Sequence, residues 1–189
     1  AIINISDDPL NPPRAEEVEL TPDGTYAFVR QYGADEIVLV DLISELVYGL
    51  PVASNPTDLD ISPDGLSAVI VDRGSQQLFI YPTTEPENAI PEIIDLPETE
   101  LLGSIQFSPD NYQAILYTTV SDISHYTTWD LTEPDPEFAM TVRPLVKPIQ
   151  QLSVTPTGQS LMVLHDNGSS EDSNPAYDGK FALTLIDLY

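Results

Sequence analysis

Two histidines, His125 and His165, and no cysteine stand among the 189 residues. A three-histidine metal site, thiolate catalysis, Cys-ligated zinc or iron–sulfur centres and disulfides therefore lie outside the chemistry of this sequence. His125 sits beside Tyr126 in a strand-like segment and His165 at the end of another, positions where a lone histidine reads as a packing or surface residue. Neither Gly-x-Gly-x-x-Gly, Gly-x-x-x-x-Gly-Lys, Gly-x-Ser-x-Gly nor His-Glu-x-x-His occurs. That removes the dinucleotide fingerprint, the phosphate loop, the nucleophile elbow and the zinc-protease helix.

The densest run of oxygen donors is HDNGSSEDSNPAYDGK, from His165 to Lys180. Hard cations take six to eight oxygens, and Asp166, Asn167, Asp172 and Asp178 are the candidate ligands for a calcium-type ion there, with Glu171 and Asn174 nearby. Their spacing is not that of an EF-hand, and a polar loop without metal is the plainer reading. No other cofactor is expected. Asp23, Asp64 and Asp110 each follow a proline in a turn, where the carboxylate caps local N–H groups. Glu17, Glu19, Asp58, Asp60, Gln106, Gln150 and Gln151 fall on predicted innermost strands, too unevenly to converge on one site.

The elements that carry these residues repeat. VELTPDGTYAFV (18–29), LDISPDGLSAVI (59–70), IQFSPDNYQAIL (105–116) and LSVTPTGQSLMV (152–163) each join two alternating apolar stretches through a Ser/Thr-Pro turn. Alternation of period two is the mark of a half-buried strand; Pro presets φ, Asp caps locally and Gly accepts a positive φ, so each segment predicts a β-hairpin. The prolines, Pro22, Pro63, Pro109 and Pro156, are separated by 41, 46 and 47 residues. That length suits one four-stranded antiparallel unit per repeat. Third strands are expected at 37–42, 78–83, 125–131 and 181–188, and outer strands at 46–52, 92–97 and 138–144. Trp129 and Tyr126 are expected to serve packing.

The Ser/Thr-Pro-Asp-Gly hairpins resemble the blades of the propeller superfamily that includes TolB-like, lactonase-like and YVTN-type proteins. The resemblance implies an all-β fold of about four propeller blades, in units of roughly 14–52, 56–97, 101–144 and 149–188. Residues 1–6 (AIINIS) are expected to act as a closing outer strand. Members of that superfamily have six to eight blades, so the expectation is a piece of a larger ring, ahead of a half-ring pairing with a second copy and a four-bladed ring.

Thirty-one Asp plus Glu against six Lys plus Arg leave a formal net charge of −25. Six scattered cations cannot neutralise a run of phosphates, so nucleic acid is excluded as a partner, and no apolar run approaches the roughly 18 residues that cross a bilayer. The expected function is a non-enzymatic binding or scaffold module, periplasmic, cell-surface or extracellular in a bacterium, whose loops hold a protein or glycan partner. Two alternatives stand beside it: part of a lactonase-like hydrolase using a divalent ion, and a structural subunit that forms a homodimer or pairs with the rest of a propeller.

Overall fold

A computed structural model describes residues 2–6, 13–97, 100–120, 122–170 and 173–188. The chain divides into two compact units, residues 1–98 and 99–189. In the first, β1 (Arg14–Leu20), β2 (Tyr26–Tyr32), β3 (Glu36–Asp41) and β4 (Val47–Pro51) form one antiparallel sheet in that order. The second sheet follows with β5 (Pro56–Ile61), β6 (Ser67–Asp72), β7 (Gln77–Pro82) and β8 (Glu92–Asp95). The second unit holds a four-stranded sheet of β9 (Ser104–Phe107), β10 (Gln113–Tyr117), β11 (His125–Asp130) and β12 (Met140–Pro144). It also holds a three-stranded sheet of β13 (Ile149–Val154), β14 (Ser160–His165) and β15 (Ala182–Asp187). The fold is all-β, built of propeller blades, and no helix among the described residues is long and apolar enough to cross a membrane.

Each repeat turn forms for the reason its sequence states. Thr21 Oγ1 donates to Asp23 Oδ1 at 2.6 Å and accepts from Tyr26 N at 3.0 Å. Ser62 does the same with Asp64 and Ser67, at 2.6 and 3.0 Å. The hydroxyl before the proline thus links the turn carboxylate to the start of the outgoing strand. Gly24, Gly65 and Gly158 sit at φ 71°, 73° and 71°, and Asn111 takes the same place in the third turn at φ 61°. The divergent third and fourth copies therefore keep the turn, because Asn tolerates the left-handed region. A methyl group at Gly65 would stand 2.7 Å from the Pro22 ring, and one at Gly158 2.5 Å from Ser108 Oγ. Turns of successive repeats touch through these glycines.

Strand alternation then assigns two faces to each sheet. In the first unit Phe28, Ile37, Leu39 and Leu50 of the first sheet pack on Leu59, Ala68, Ile70, Phe79 and Tyr81 of the second. In the second unit Ile115 and Tyr126 pack on Ile149, Leu152, Leu161 and Val163. Within each unit, one face of the first sheet meets the opposite face of the second. Burying each such side chain contributes about 1.5–3 kcal/mol, which makes these interfaces the main stabilising element. Tyr81 donates its hydroxyl to the Pro51 carbonyl at 2.6 Å, and burial pushes the phenol up to about 12.

Two expectations change. Phe138 and Ala139 belong to a short helical turn, Pro136–Ala139, and the outer strand begins only at Met140. Residues 2–6 form no ladder; Ile3 and Ile5 instead pack on Ala27, Val29, Val38 and Val40 of the first sheet.

Candidate functional site

The loop from His165 to Lys180 gathers around a cation of the chain's own. Lys147 is 0% exposed, and its Nζ donates to the carbonyls of Asp166 (2.8 Å), Tyr177 (3.1 Å) and Lys180 (2.6 Å). Two of the carboxylates predicted as metal ligands, Asp166 and Asp178, bond within the loop itself. Asp166 Oδ1 accepts from Gly168 N at 2.9 Å, and Asp178 Oδ1 accepts from the Ser170 N–H and hydroxyl, both at 2.6 Å. Hydrogen bonds from Ser170, helped by Lys147, hold the Asp178 carboxyl below its ordinary value. Asn167 is exposed, and Asp172 lies outside the described residues, as does Glu171. Among the described residues no three His, Cys, Asp or Glu side chains come together as a metal site. Lys147 was missed by reading motifs; its signal is a lone lysine inside the apolar stretch LVKPI (145–149).

His165 is buried, with Nδ1 3.0 Å from the Pro148 carbonyl and Nε2 2.8 Å from Thr184 Oγ1. A carbonyl can only accept, so Nδ1 carries the proton and in the neutral ring Nε2 accepts from the threonine. His125 Nε2 lies 3.9 Å from Glu100 Oε2, the oxygen to which Thr127 donates its hydroxyl. Of the inner-strand polar residues, Glu17 is bound by Arg30 Nε at 2.8 Å, and Gln106 Oε1 accepts from Val154 N at 3.1 Å. Burial, with Glu17 close by, raises the Glu19 carboxyl.

An open groove lies elsewhere in the second unit. Two adjoining cavities of about 340 and about 320 Å³ share Gln113, Thr128, Arg143 and Leu188. Cross-strand register explains the grouping: Tyr126 faces Arg143 and Thr128 faces Thr141 across β11 and β12, while Gln113 opens β10. The inner part of this sheet face is closed by the fourth sheet at Ile115 and Tyr126, and its outer part remains as the groove. Exposed Tyr112 and Phe138 stand at the wall of the larger cavity with the hydroxyls of Thr132 and Thr141. Arg143 is exposed, and no ion pair to it occurs among the described residues. Burial raises the Tyr126 phenol, with Arg143 pulling the other way. Such a groove offers flat apolar faces, neutral hydrogen-bonding groups, the carboxylates of Asp130 and Asp187 at its walls, and one planar cation that can bind a carboxylate with two parallel bonds.

No protein-family profile and no curated protein sequence matches the chain. Among solved structures it is similar to hydrazine synthase of Kuenenia stuttgartiensis, at 16% identity and TM-score 0.68 over 100% of this chain and 50% of that one. A putative 6-phosphogluconolactonase of Bacteroides uniformis aligns at 16% identity and TM-score 0.66, over 99% of this chain and 57% of that one. The Cps50 (Swd1) β-propeller domain of Myceliophteria thermophila aligns at 14% identity and TM-score 0.61, over 96% and 54%. At these identities the likeness is one of fold, the β-propeller. The chain spans between half and three-fifths of the length of these structures.

Proposed function

We propose that the chain is a non-enzymatic binding module, exported or displayed at a bacterial surface, that holds a glycan or protein partner in the groove around Arg143. The observation that carries this reading is the juxtaposition of exposed Tyr112 and Phe138 with Arg143, Gln113 and the threonine hydroxyls along one cavity wall. Aromatic faces stack on the apolar side of a sugar ring, and the hydroxyls and amide exchange hydrogen bonds with its rim. In a chain of net charge −25, an exposed arginine with no ion pair among the described residues favours a saccharide that bears a carboxylate. A protein partner would use the same aromatic residues as anchors.

Calorimetric titration with neutral and uronic-acid oligosaccharides tests the proposal. The expected result is binding of the acidic sugars, weakened roughly tenfold by each of Tyr112→Ala and Phe138→Ala. Arg143→Gln should reduce the preference for acidic over neutral sugars. Titrations without heat for any saccharide, or an unaltered affinity in the Tyr112→Ala/Phe138→Ala double variant, would exclude a glycan site in this groove.

A further inference from the structure

Asparagine has a reaction that needs no partner but water. The backbone nitrogen of the next residue attacks the side-chain carbonyl carbon, closes a ring and expels ammonia. A Cβ on that next residue shields the nitrogen and narrows the backbone angles open to ring closure, so glycine is the residue that permits it. Proline prevents it, having no N–H to lose. Of the seven asparagines, Asn11, Asn55 and Asn174 precede proline, while Asn4, Asn88 and Asn111 precede isoleucine, alanine and tyrosine. Asn167 alone precedes glycine.

The structure sets Asn167 apart as well. Asn4 Nδ2 donates to the Ser6 carbonyl at 2.9 Å, Asn88 Nδ2 donates to Glu87 Oε1 at 3.2 Å, and Asn174 Oδ1 accepts from Ala176 N at 2.9 Å. The Asn167 side chain is exposed at a bend beyond β14 and makes no hydrogen bond among the described residues. Asp23, Asp64 and Asp178 also precede glycine, but an ionised carboxylate resists attack by a nucleophile. Hydrogen bonds from Thr21 and Thr25 hold the Asp23 carboxyl, and those from Ser170 the Asp178 carboxyl, below the ordinary value. Asp64 Oδ1 is occupied by the Ser62 hydroxyl and Leu66 N.

We propose that Asn167 is a site of self-modification, where the Gly168 nitrogen closes a succinimide that water opens to aspartate and isoaspartate. The bond from Gly168 N to Asn167 Cγ forms as the Cγ–Nδ2 bond breaks, and the Gly168 N–H proton departs with the side-chain nitrogen as ammonia. Water then adds to either ring carbonyl and breaks its bond to the Gly168 nitrogen. Gly168 N donates to Asp166 Oδ1 at 2.9 Å, so that bond opens before the nitrogen attacks. The product bears on the long loop. Lys147 binds the Asp166 carbonyl on one side of Asn167, and Gly179 N donates to the Gly168 carbonyl at 3.4 Å on the other. Isoaspartate inserts a methylene into the main chain between those two anchors, and both products add a negative charge, so the loop loosens.

Incubation of the purified chain at neutral pH, followed by peptide mass mapping, tests this. The peptide that contains Asn167 should gain the mass difference between an amide and an acid, roughly tenfold or more ahead of those that contain Asn88 and Asn111. A protein isoaspartate methyltransferase should methylate the same peptide ahead of the three Asp-Gly peptides. Gly168 lies outside the left-handed region, and a methyl group there would first meet Asp166 Oδ1, at 3.0 Å. Gly168→Ala should therefore keep the circular dichroism of the chain and slow the change roughly tenfold. Hydrogen exchange between residues 166 and 180 should be faster in the aged chain than in the fresh one, and ageing should leave it unaltered in Asn167→Gln, whose ring closes far more slowly. An Asn167 peptide that changes no faster than the others, or at a rate indifferent to Gly168→Ala, would overturn the site. Exchange unaltered by ageing would overturn its effect on the loop.

Discussion

Two loops join second to third strands in equivalent places, and each is organised by a buried charge of opposite sign. Between β6 and β7 the charge is Asp72, fully buried. Its Oδ2 accepts from Ser54 N and Asn55 N at 2.9 and 3.0 Å, and its Oδ1 from Ser75 N at 2.8 Å. Between β14 and β15 the charge is Lys147, which gathers three carbonyls. The short turn, at Ser75, and the β4–β5 connection, at Ser54 and Asn55, present N–H groups inward and need an acceptor; the long loop presents carbonyls inward and needs a donor. The sign of the buried residue follows from which backbone groups the loop cannot otherwise satisfy.

The comparison can be broken at either end. Asp72→Ala should have the largest effect, about 3 kcal/mol of stability, because it leaves several N–H donors buried without an acceptor. In a domain of this size that lowers the thermal midpoint by roughly 10 °C, measurable by calorimetry. Asp72→Asn keeps one acceptor oxygen and should lose about half as much. Lys147→Met should lose less than Asp72→Ala, about 2 kcal/mol, because an under-satisfied carbonyl is tolerated better than an orphaned N–H. Its effect should be local, seen as faster amide exchange between residues 166 and 180 while the β10 and β14 amides stay protected. If the two variants proved equally destabilising across the whole chain, the lysine would be a core element and no loop organiser.

The smallest effect expected is one of pH. Asp178 binds Ser170 as a carboxylate and is held below the ordinary value of 3.8, so its contribution is complete above that value and fades as pH falls through the folded one. The protection factor of the Ser170 amide, its exchange rate relative to the intrinsic rate at each pH, should fall toward the acid end between pH 6 and pH 3, and Asp178→Asn should flatten the profile. A loss of protection unchanged in that variant would assign the titration to another group.

The hairpins were legible because their information is local. A hydroxyl, a proline, a carboxylate and a residue tolerant of positive φ stand within four positions, and they close the same turn at Thr21, Ser62 and Ser108. The strand faces were legible from alternation alone. The outer strand of the third sheet was less so: Phe138 and Ala139 carry strand-like side chains, but Phe138 N and Ala139 N both bond to the Asp135 carbonyl and close a helical turn first. The carboxylates of the long loop suggested a metal by composition, and composition says nothing of which backbone groups occupy them. The groove around Arg143 had no motif, since its residues come from three strands joined by long connections and meet only through cross-strand register.

The sequence by itself determined the repeat, the hairpins, the parity of each strand and the class of chemistry open to a chain without cysteine and with two histidines. These depend on neighbours a few bonds apart. The tertiary structure alone decided that Lys147 sits under the long loop and that Arg143 stands exposed in a groove. Those are properties of packing between sheets, where residues far apart in the chain compete for the same buried space.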